Sequence, residues 1–298
     1  MIPSYVKQTV SQFLADDCPT KAAALAYYIT FSLAPLLLII ISVAGLVVSR
    51  EQVQGRIEQE TQDLLGPGAA SEIGVMVRNA SEHRSQEVMS AIIGFIMILV
   101  GATSVFAQLQ SALNGIWHVK PDPRKGGVKT LMSQRLLSFA MILGVALLLL
   151  VSLVISAAIA AFGGTMEALL PPDISAPLLL ATEWVVSFLI AMVLFAAVFK
   201  LLPDAVVQWR EVWLGAAITA LLFTFGKSLI ALYLGRTGLA SAYGAAGSLA
   251  ILLVWIYYSS MIVLIGAEFT KVWAESHGRG TEPKRGAVRV VYQELRAT

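Results

Sequence analysis

Long apolar runs dominate the chain and determine its predicted architecture. A helix needs about 20 apolar residues to cross the roughly 30 Å of hydrocarbon in a bilayer. Six runs reach that length, at residues 22–49, 88–109, 136–162, 178–202, 212–234 and 246–270. The pattern predicts an all-α polytopic membrane protein with six transmembrane helices. These form one membrane domain over residues 1–273, followed by a basic tail over residues 274–298.

Two segments outside the runs also have helical periodicity. In the loop at 50–87, weakly amphipathic stretches at 52–65 and 69–80 flank Gly66-Pro67-Gly68, which predicts a short external helical hairpin. Before the first run, apolar residues recur on one helical face at Ile2, Tyr5, Val6, Val10, Phe13 and Leu14. They predict a short N-terminal helix that lies either in the membrane interface or against the bundle.

The composition supports a membrane environment. Apolar residues make up 57% of the chain and charged residues 13%, whereas soluble domains average about 45–50% and about 25%. The polar surface of a water-soluble enzyme is missing, so much of the apolar excess must face lipid. The single cysteine, Cys18, excludes an internal disulfide, and three widely separated histidines predict no metal site.

Basic residues are concentrated on one predicted side of the membrane. Six crossings place both chain ends on the same side. That side holds fifteen of the 21 Lys and Arg residues, the opposite side holds five, and Lys227 lies within a run. By the positive-inside rule, both termini are predicted to be cytoplasmic.

Two ionisable residues fall at similar depths within the predicted spans. Lys227 lies ~10 Å and Glu183 ~9 Å below the outer surface, at a rise of 1.5 Å per residue. The matching depths predict an ion pair or a shared polar cavity in the outer half of the bundle. The alternative is that Lys227 extends to the interface and Glu183 reaches it beside Trp184.

Polar residues also gather where the predicted spans end on the terminal side. Glu268, Lys200, Gln108 and Asn114 are expected at one level, and Glu268 is the strongest candidate for a functional role. The alternative is that Glu268 marks the interface and pairs with Lys271 at i,i+3.

Prolines, glycines and other small residues predict how the helices bend and pack. Pro35 removes the hydrogen bond to the Phe31 carbonyl and predicts a kink in the first span. Gly244 and Gly247, in a glycine-rich outer segment, are candidates for a flexible gate. Small residues recur at intervals of four, which lets helices approach closely, as at Ala22, Ala26 and Thr30 and at Gly215 and Thr219.

Enzyme signatures were sought in the sequence and are absent. Gly226-Lys227-Ser228 matches the end of a phosphate-binding loop, but Leu221 occupies the required upstream glycine position. No nucleophile and base can be paired, so neither catalysis nor a cofactor is predicted. The basic tail lacks interleaved aromatics apart from Tyr292 and predicts no nucleic-acid partner. A membrane-facing or disordered end fits it better.

Several motifs resemble those of the YihY/BrkB family of bacterial inner-membrane proteins. They are PTKAAALAYY at 19–28 continuing to Pro35, LNGIW at 113–117, YGAAGS at 243–248, WIYY at 255–258 and GAEF at 266–269. The resemblance covers the chain to about Trp273. It implies a six-span protein of the bacterial inner membrane, once mislabelled ribonuclease BN and linked to serum resistance and to lipid or lipopolysaccharide export.

The resemblance supplies positions but no established reaction. The positions similar to the family are Tyr27, Tyr28, Asn114, Tyr243, Glu268 and Lys227, without assigned roles. The favoured hypothesis is a transporter or flippase-like protein for a lipid or other amphiphile, or an ion-coupled carrier, with a polar cavity inside the bundle. The alternative is a scaffold for an envelope protein machine. Membrane lipids and a second copy in a homodimer are the other expected partners.

Overall fold

The structure is a computed structural model in which helices account for most of the chain. It describes residues 2–44, 49–65, 73–75, 88–124, 136, 140–145, 147–148, 151, 172–236, 247–277 and 282–291. The long helices in this part are α1 (Ile2–Ala15), α2 (Cys18–Ala44), α3 (Arg50–Leu65), α4 (Val88–Ile116), α5 (Pro172–Leu201), α6 (Trp209–Arg236) and α7 (Gly247–Ser276). The short strands are β1 (Val119–Pro121), β2 (Ala205–Val206), β3 (Glu282–Pro283) and β4 (Ala287–Arg289).

Five of the six predicted apolar runs coincide with the helices α2, α4, α5, α6 and α7. The predicted run at 136–162 lies mostly outside the described residues, although 140–145 are helical. Helix α2 starts four residues earlier than the run at 22–49, because Pro19 fits the first turn of a helix, where no backbone N–H is needed. By length and composition alone, two stretches of the described helices could cross a membrane, Trp184–Leu201 and Leu249–Ser276.

Helix α7 is central to the packing of the described helices. It contacts α1, α2, α4 and α6, while α5 packs on α6 and α4 packs on α2. The most deeply buried core side chains include Leu113, Ile116, Phe199 and Leu264. Towards the C-terminal end of α7, even the charged residues Glu268 and Lys271 are buried.

Helices α6 and α7 approach each other through two reciprocal contacts between glycine and threonine. Thr219 follows Gly215 by four residues on α6, and Thr270 follows Gly266 by four on α7. Each threonine hydroxyl donates to the carbonyl of its own glycine at 2.7 Å. A β-carbon on Gly215 would overlap the Thr270 side chain, and one on Gly266 would overlap Thr219. The two glycines therefore set the distance between the helices, as small residues do in membrane proteins.

Helix α1 divides its apolar residues between two faces. Tyr5 lies against Trp273 of α7, with ring centroids 5.4 Å apart, and Phe13 is buried. Val6, Val10 and Leu14 are exposed. One stripe thus packs on the bundle, as one predicted alternative requires, and the second stripe leaves an apolar surface that would suit a membrane interface.

The first half of the predicted external hairpin is helix α3. Its residue Val53 packs with Ile41 of α2, Leu252 of α7 and Ile73. Residues 73–75 are helical, and the rest of the predicted second stretch lies outside the described residues. Helix α3 therefore covers the ends of α2 and α7 near this cluster.

Residues 282–291, which we term the C-terminal strap, contain strands, so the disordered alternative predicted for the tail is wrong for this part. Within the strap β3 pairs antiparallel with β2, and β4 pairs antiparallel with β1. The turn between β3 and β4 closes with the Ala287 N–H donating to the Lys284 carbonyl at 3.0 Å, and Gly286 has φ +94°. A glycine suits this position because its φ is positive. The all-α prediction missed these strands because each is at most three residues long.

Candidate functional site

The turn between α1 and α2 places an acidic residue at the end of the bundle where the strap lies. Asp17 lies in the two-residue turn between Ala15 and Cys18 and adopts the left-handed region with φ 52°. Its carboxylate accepts a hydrogen bond from the Thr20 hydroxyl at 2.8 Å. This turn directs Asp16 towards α7, which carries its main cationic partner.

Five polar side chains meet there, and we term them the acid–lysine cluster. Its members are Asp16, Cys18, His118, Glu268 and Lys271. The Lys271 ammonium donates to Asp16 Oδ2 at 2.9 Å, and His118 Nε2 lies 2.9 Å from Asp16 Oδ1. Both oxygens of the Asp16 carboxylate are therefore engaged by groups that favour its charged form.

Glu268 occupies the inner part of the cluster and has no exposed surface. The Cys18 Sγ–H donates to Glu268 Oε1 at 3.7 Å. Glu268 Oε2 lies 3.7 Å from the Lys271 ammonium, which makes the predicted i,i+3 pair, but accepts no hydrogen bond from any described group. A buried carboxyl oxygen without a hydrogen bond is costly, so its protonation state matters.

The surroundings shift the pKa of two cluster members that lie before the first predicted span. Burial opposes the charged form of Asp16, but hydrogen bonds to Glu268, His118 and Lys271 outweigh it and lower the pKa of Asp16. Burial raises the pKa of the Cys18 thiol to about 12. Cys18 is thus a thiol that donates a hydrogen bond, and not a reactive thiolate.

The end of α4 positions His118. The Trp117 and His118 N–H groups close the helix by donating to the Leu113 and Gly115 carbonyls. His118 has φ 50° and, with Asp17, is one of two described residues other than glycine with positive φ. Such conformations are uncommon and often occur at functional sites. Lys21 donates to the Asp16 carbonyl and passes over Gly115, where a β-carbon would lie 2.9 Å from its ammonium nitrogen.

Asn114 belongs to a second polar group, formed with Gln110 and Asp204. Its amide donates to Asp204 Oδ2 at 2.8 Å, and its Oδ1 accepts from the Asp204 N–H at 2.7 Å. Gln110 donates to Asp204 Oδ1 at 3.3 Å. This buried group fixes the connection between α5 and α6. The predicted meeting of Glu268, Lys200 and Asn114 is not observed as direct contact, because each has other partners.

Two lysines also contact the connection between α5 and α6. Lys200 donates to the Val207 carbonyl, and Lys284 of the strap donates to the Leu201 carbonyl at 3.3 Å at the end of α5. Burial lowers the pKa of Lys284, while Asp204 opposes that effect. A cation at the C-terminal end of α5 also complements the helix dipole.

Lys227 lies at the seam between α5 and α6. Its ammonium is 5.9 Å from the ring centroid of Trp184, a residue 53% exposed. Glu183 precedes Trp184 on α5, but its side chain lies outside the description, so the pairing of Lys227 with Glu183 stays a prediction. Among the described carboxylates, none forms an ion pair with Lys227.

The remaining candidate residues fall in three different settings. Tyr27 is exposed on α2, and its ring centroid is 4.8 Å from that of Phe31, so it faces outward and not into the bundle. Gly247 is the first residue of α7. Tyr243 and Gly244 lie outside the described residues. Helix α2 continues through Pro35, whose side chain is not described, and the kink stays a prediction.

The sequence interpretation missed Asp16 and His118 as site residues. No role is predicted for Asp16 from the sequence, and His118 counts there only as one of three widely separated histidines. The available signal was their common position, because both adjoin ends of apolar helices on the predicted terminal side, as does Lys271. Among the described residues, no group of three or more His, Cys, Asp or Glu side chains is arranged to hold a metal ion.

Comparison with known proteins identifies related membrane proteins. A family profile described as Virulence factor BrkB matches residues 9–289. A UPF0761 membrane protein of Alcanivorax borkumensis is 27% identical over 97% of this chain and 65% of its own length. UPF0761 membrane proteins of Tolumonas auensis and Verminephrobacter eiseniae are 27% and 29% identical over 87% of this chain, and over 82% and 59% of their own lengths.

The matched relatives differ in length. The chain spans less than two thirds of the Alcanivorax and Verminephrobacter proteins but most of the Tolumonas protein. The names of these relatives describe membrane proteins and state no activity. No solved structure matches the chain.

Proposed function

The chain belongs to the BrkB family of integral membrane proteins, and on this premise we propose that it carries an anionic lipid or similar amphiphile across the bacterial inner membrane. The observation that carries the proposal is the placement of Lys227 beside the exposed Trp184 at the seam of α5 and α6. A cation next to an aromatic ring, within apolar helices, has the chemistry to bind an anionic headgroup whose acyl chains stay in the lipid.

The surfaces around this seam support a lipid ligand. Exposed apolar side chains follow both helices, at Val185, Leu189 and Val193 on α5 and at Leu222, Phe225, Leu229 and Leu232 on α6. Such continuous apolar faces are unfavourable in water but suit acyl chains. Gly226, which precedes Lys227, has no room for a β-carbon against Tyr258 and Ile262 of α7. The Lys227 backbone is thus held against the bundle while its side chain extends along the seam.

The proposed arrangement has six transmembrane helices with both termini in the cytoplasm. In this arrangement the acid–lysine cluster and the strap lie at the cytoplasmic end, and the 50–87 loop lies in the periplasm. The charge asymmetry supports this orientation. A homodimer is proposed as the assembly, because small-residue stripes also pack between protomers.

The orientation is tested by reporters and thiol labelling. A fluorescent protein fused after Thr298 is expected to fluoresce, and alkaline phosphatase at the same site to be inactive. A cysteine replacing the exposed Gln52, in a chain with Cys18→Ala, is expected to react with an impermeant maleimide on intact spheroplasts. Active phosphatase after Thr298, combined with a cytoplasmic N-terminus, would exclude an even number of crossings.

The role of Lys227 is tested in proteoliposomes that contain fluorescent phosphatidylglycerol. We expect Lys227→Ala to slow lipid movement between leaflets by about tenfold, the effect of losing roughly 1.4 kcal/mol of interaction with an anionic headgroup. Lys227→Arg is expected to keep most of the rate because the charge remains. Dithionite quenching of the outer leaflet measures the movement. Arg210→Ala, which removes an exposed cation from the same helix, is the matched control.

Two results would overturn the carrier proposal. One is wild-type protein that moves lipid no faster than protein-free vesicles, and the other is a Lys227→Ala rate equal to that of wild type. If purified wild type moves no lipid and deletion of residues 50–87 abolishes function in cells, the scaffold alternative is favoured instead.

A further inference from the structure

The acid–lysine cluster contains more buried acid than its cations neutralise. Asp16 and Glu268 face each other beside one buried ammonium, that of Lys271. Lys21 binds the backbone carbonyl of Asp16 and contacts neither carboxylate oxygen by hydrogen bond. With His118 neutral, two ionised carboxylates beside the Lys271 ammonium would leave a net buried negative charge, which is strongly unfavourable.

The contacts of the two carboxyl groups indicate where a proton that removes this negative charge would lie. Asp16 Oδ2 and Glu268 Oε2 lie 2.9 Å and 3.7 Å from the same Lys271 ammonium. Two carboxyl groups brought together in this way can hydrogen-bond to each other only if one carries a proton. Asp16 contacts both Lys271 and His118, so its carboxyl group is more stable as an anion than that of Glu268. Glu268 Oε2 accepts no hydrogen bond from the described groups, which is consistent with an O–H at Glu268 that donates to Asp16.

The exposure of the side chains decreases from His118 through Asp16 to Glu268. The side chain of His118 is 34% exposed and that of Asp16 14%, whereas Glu268 is fully buried. His118 therefore meets solvent on one side and Asp16 on the other. A histidine can accept a proton at one ring nitrogen and donate one from the other. The order His118, Asp16, Glu268 forms a path from the surface to a buried acid.

We propose that Asp16 and Glu268 form a proton-binding site, loaded through His118, whose occupancy is coupled to lipid movement by the carrier. This inference rests on the proposed function and names its energy source, the proton gradient. The groups that face the site are Asp16 from the turn before α2, Cys18 and Lys21 from α2, His118 after α4, and Lys271 from α7. Because all of these elements contribute side chains to this site, adding or removing one proton changes the contacts between their ends.

Coupling is tested by imposing a pH gradient on proteoliposomes with fluorescent phosphatidylglycerol and an internal pH dye. The gradient is expected to change the wild-type lipid flux by about tenfold, a typical allosteric coupling. Glu268→Gln imitates the protonated acid permanently. The lipid flux of this variant should therefore persist without the pH gradient and should not change when the gradient is imposed. Glu275→Gln, an exposed acid on the same helix, is the matched control and should respond like wild type. A Glu268→Gln flux that still follows the gradient would overturn the coupling.

A direct readout separates failure of this inference from failure of the carrier proposal. Infrared difference spectra of the purified protein should contain a protonated carboxyl band that is absent in Glu268→Gln and present in Glu275→Gln. His118→Gln should keep the band but slow its exchange in heavy water, and this variant leaves both acids in place. If the band is unchanged in Glu268→Gln, there is no proton at this site, whatever the lipid flux. If the band is lost but wild type moves no lipid, the proton site stands and the carrier proposal fails.

Discussion

Replacing Gly266 by alanine is expected to destabilise the protein by about 3 kcal/mol, the upper part of the range for overpacking a tight interface. The added β-carbon would overlap Thr219 of α6, whose hydroxyl is already bonded to Gly215. Relief requires α6 and α7 to separate, which also loosens the Gly215 contact with Thr270. The thermal midpoint of the detergent-purified protein measures the loss.

The packing explanation is distinguished by a second substitution and a control. Thr219→Ala removes the hydroxyl and the methyl nearest to Gly266, so combining it with Gly266→Ala should recover part of the stability lost by Gly266→Ala alone. Gly55→Ala on α3 meets no atom within 4 Å and is expected to be neutral or slightly stabilising, because alanine favours helix. Equal effects at Gly55 and Gly266 would contradict the close approach of α6 and α7.

Replacing Lys271 by methionine is expected to cost about 3 kcal/mol or more, because removing one partner leaves buried charge uncompensated. The Lys271 side chain is only 4% exposed in its ion pair with Asp16. Methionine is unbranched like lysine and only one heavy atom shorter, so the loss of stability reports mainly the loss of charge. Lys120→Met, at an exposed lysine of β1, is the control and should change stability little.

The charge interaction of Lys271 with the acids can also be tested through the pH dependence of stability. The pKa of Asp16 is lowered by folding, so ionised Asp16 stabilises the protein above its unfolded pKa of about 3.9. That contribution is lost as the pH falls through the lowered pKa. Wild type should therefore lose stability below about pH 4, and Asp16→Asn should lack this component. The cost of Lys271→Met should be smaller in acid, where the carboxyls are neutral; a cost independent of pH would contradict the charge argument.

The helices were predictable from the sequence because apolar runs of this length have few other structures available to them. Five runs match helices in position, and even the early start of α2 follows from Pro19. The short strands were not predictable in the same way. Ala205 and Val206 pair with Pro283 and Glu282, which are far away in the sequence, and no local pattern encodes such a pairing.

The candidate site was predictable only in part. Glu268 and its partner Lys271 are separated by one helical turn, so their contact follows from local geometry. The positions of Asp16 and His118 depend on two left-handed turns and on how α1, α4 and α7 pack. Asn114 was selected as a polar residue at a helix end, but its role in fixing Asp204 depends on a neighbouring loop.

The C-terminal strap has a consequence for the biosynthesis of the protein. Its backbone joins β1 and β2, and Lys284 binds carbonyls that end α5. These partners leave the ribosome long before residues 282–291. The backbone groups that the strap will bind therefore stay unpaired while the later helices are inserted. A nascent chain interrupted before the strap would expose unpaired backbone groups beside His118 and Asp204. The strap therefore distinguishes chains whose synthesis has passed this point from truncated products that proteases can remove.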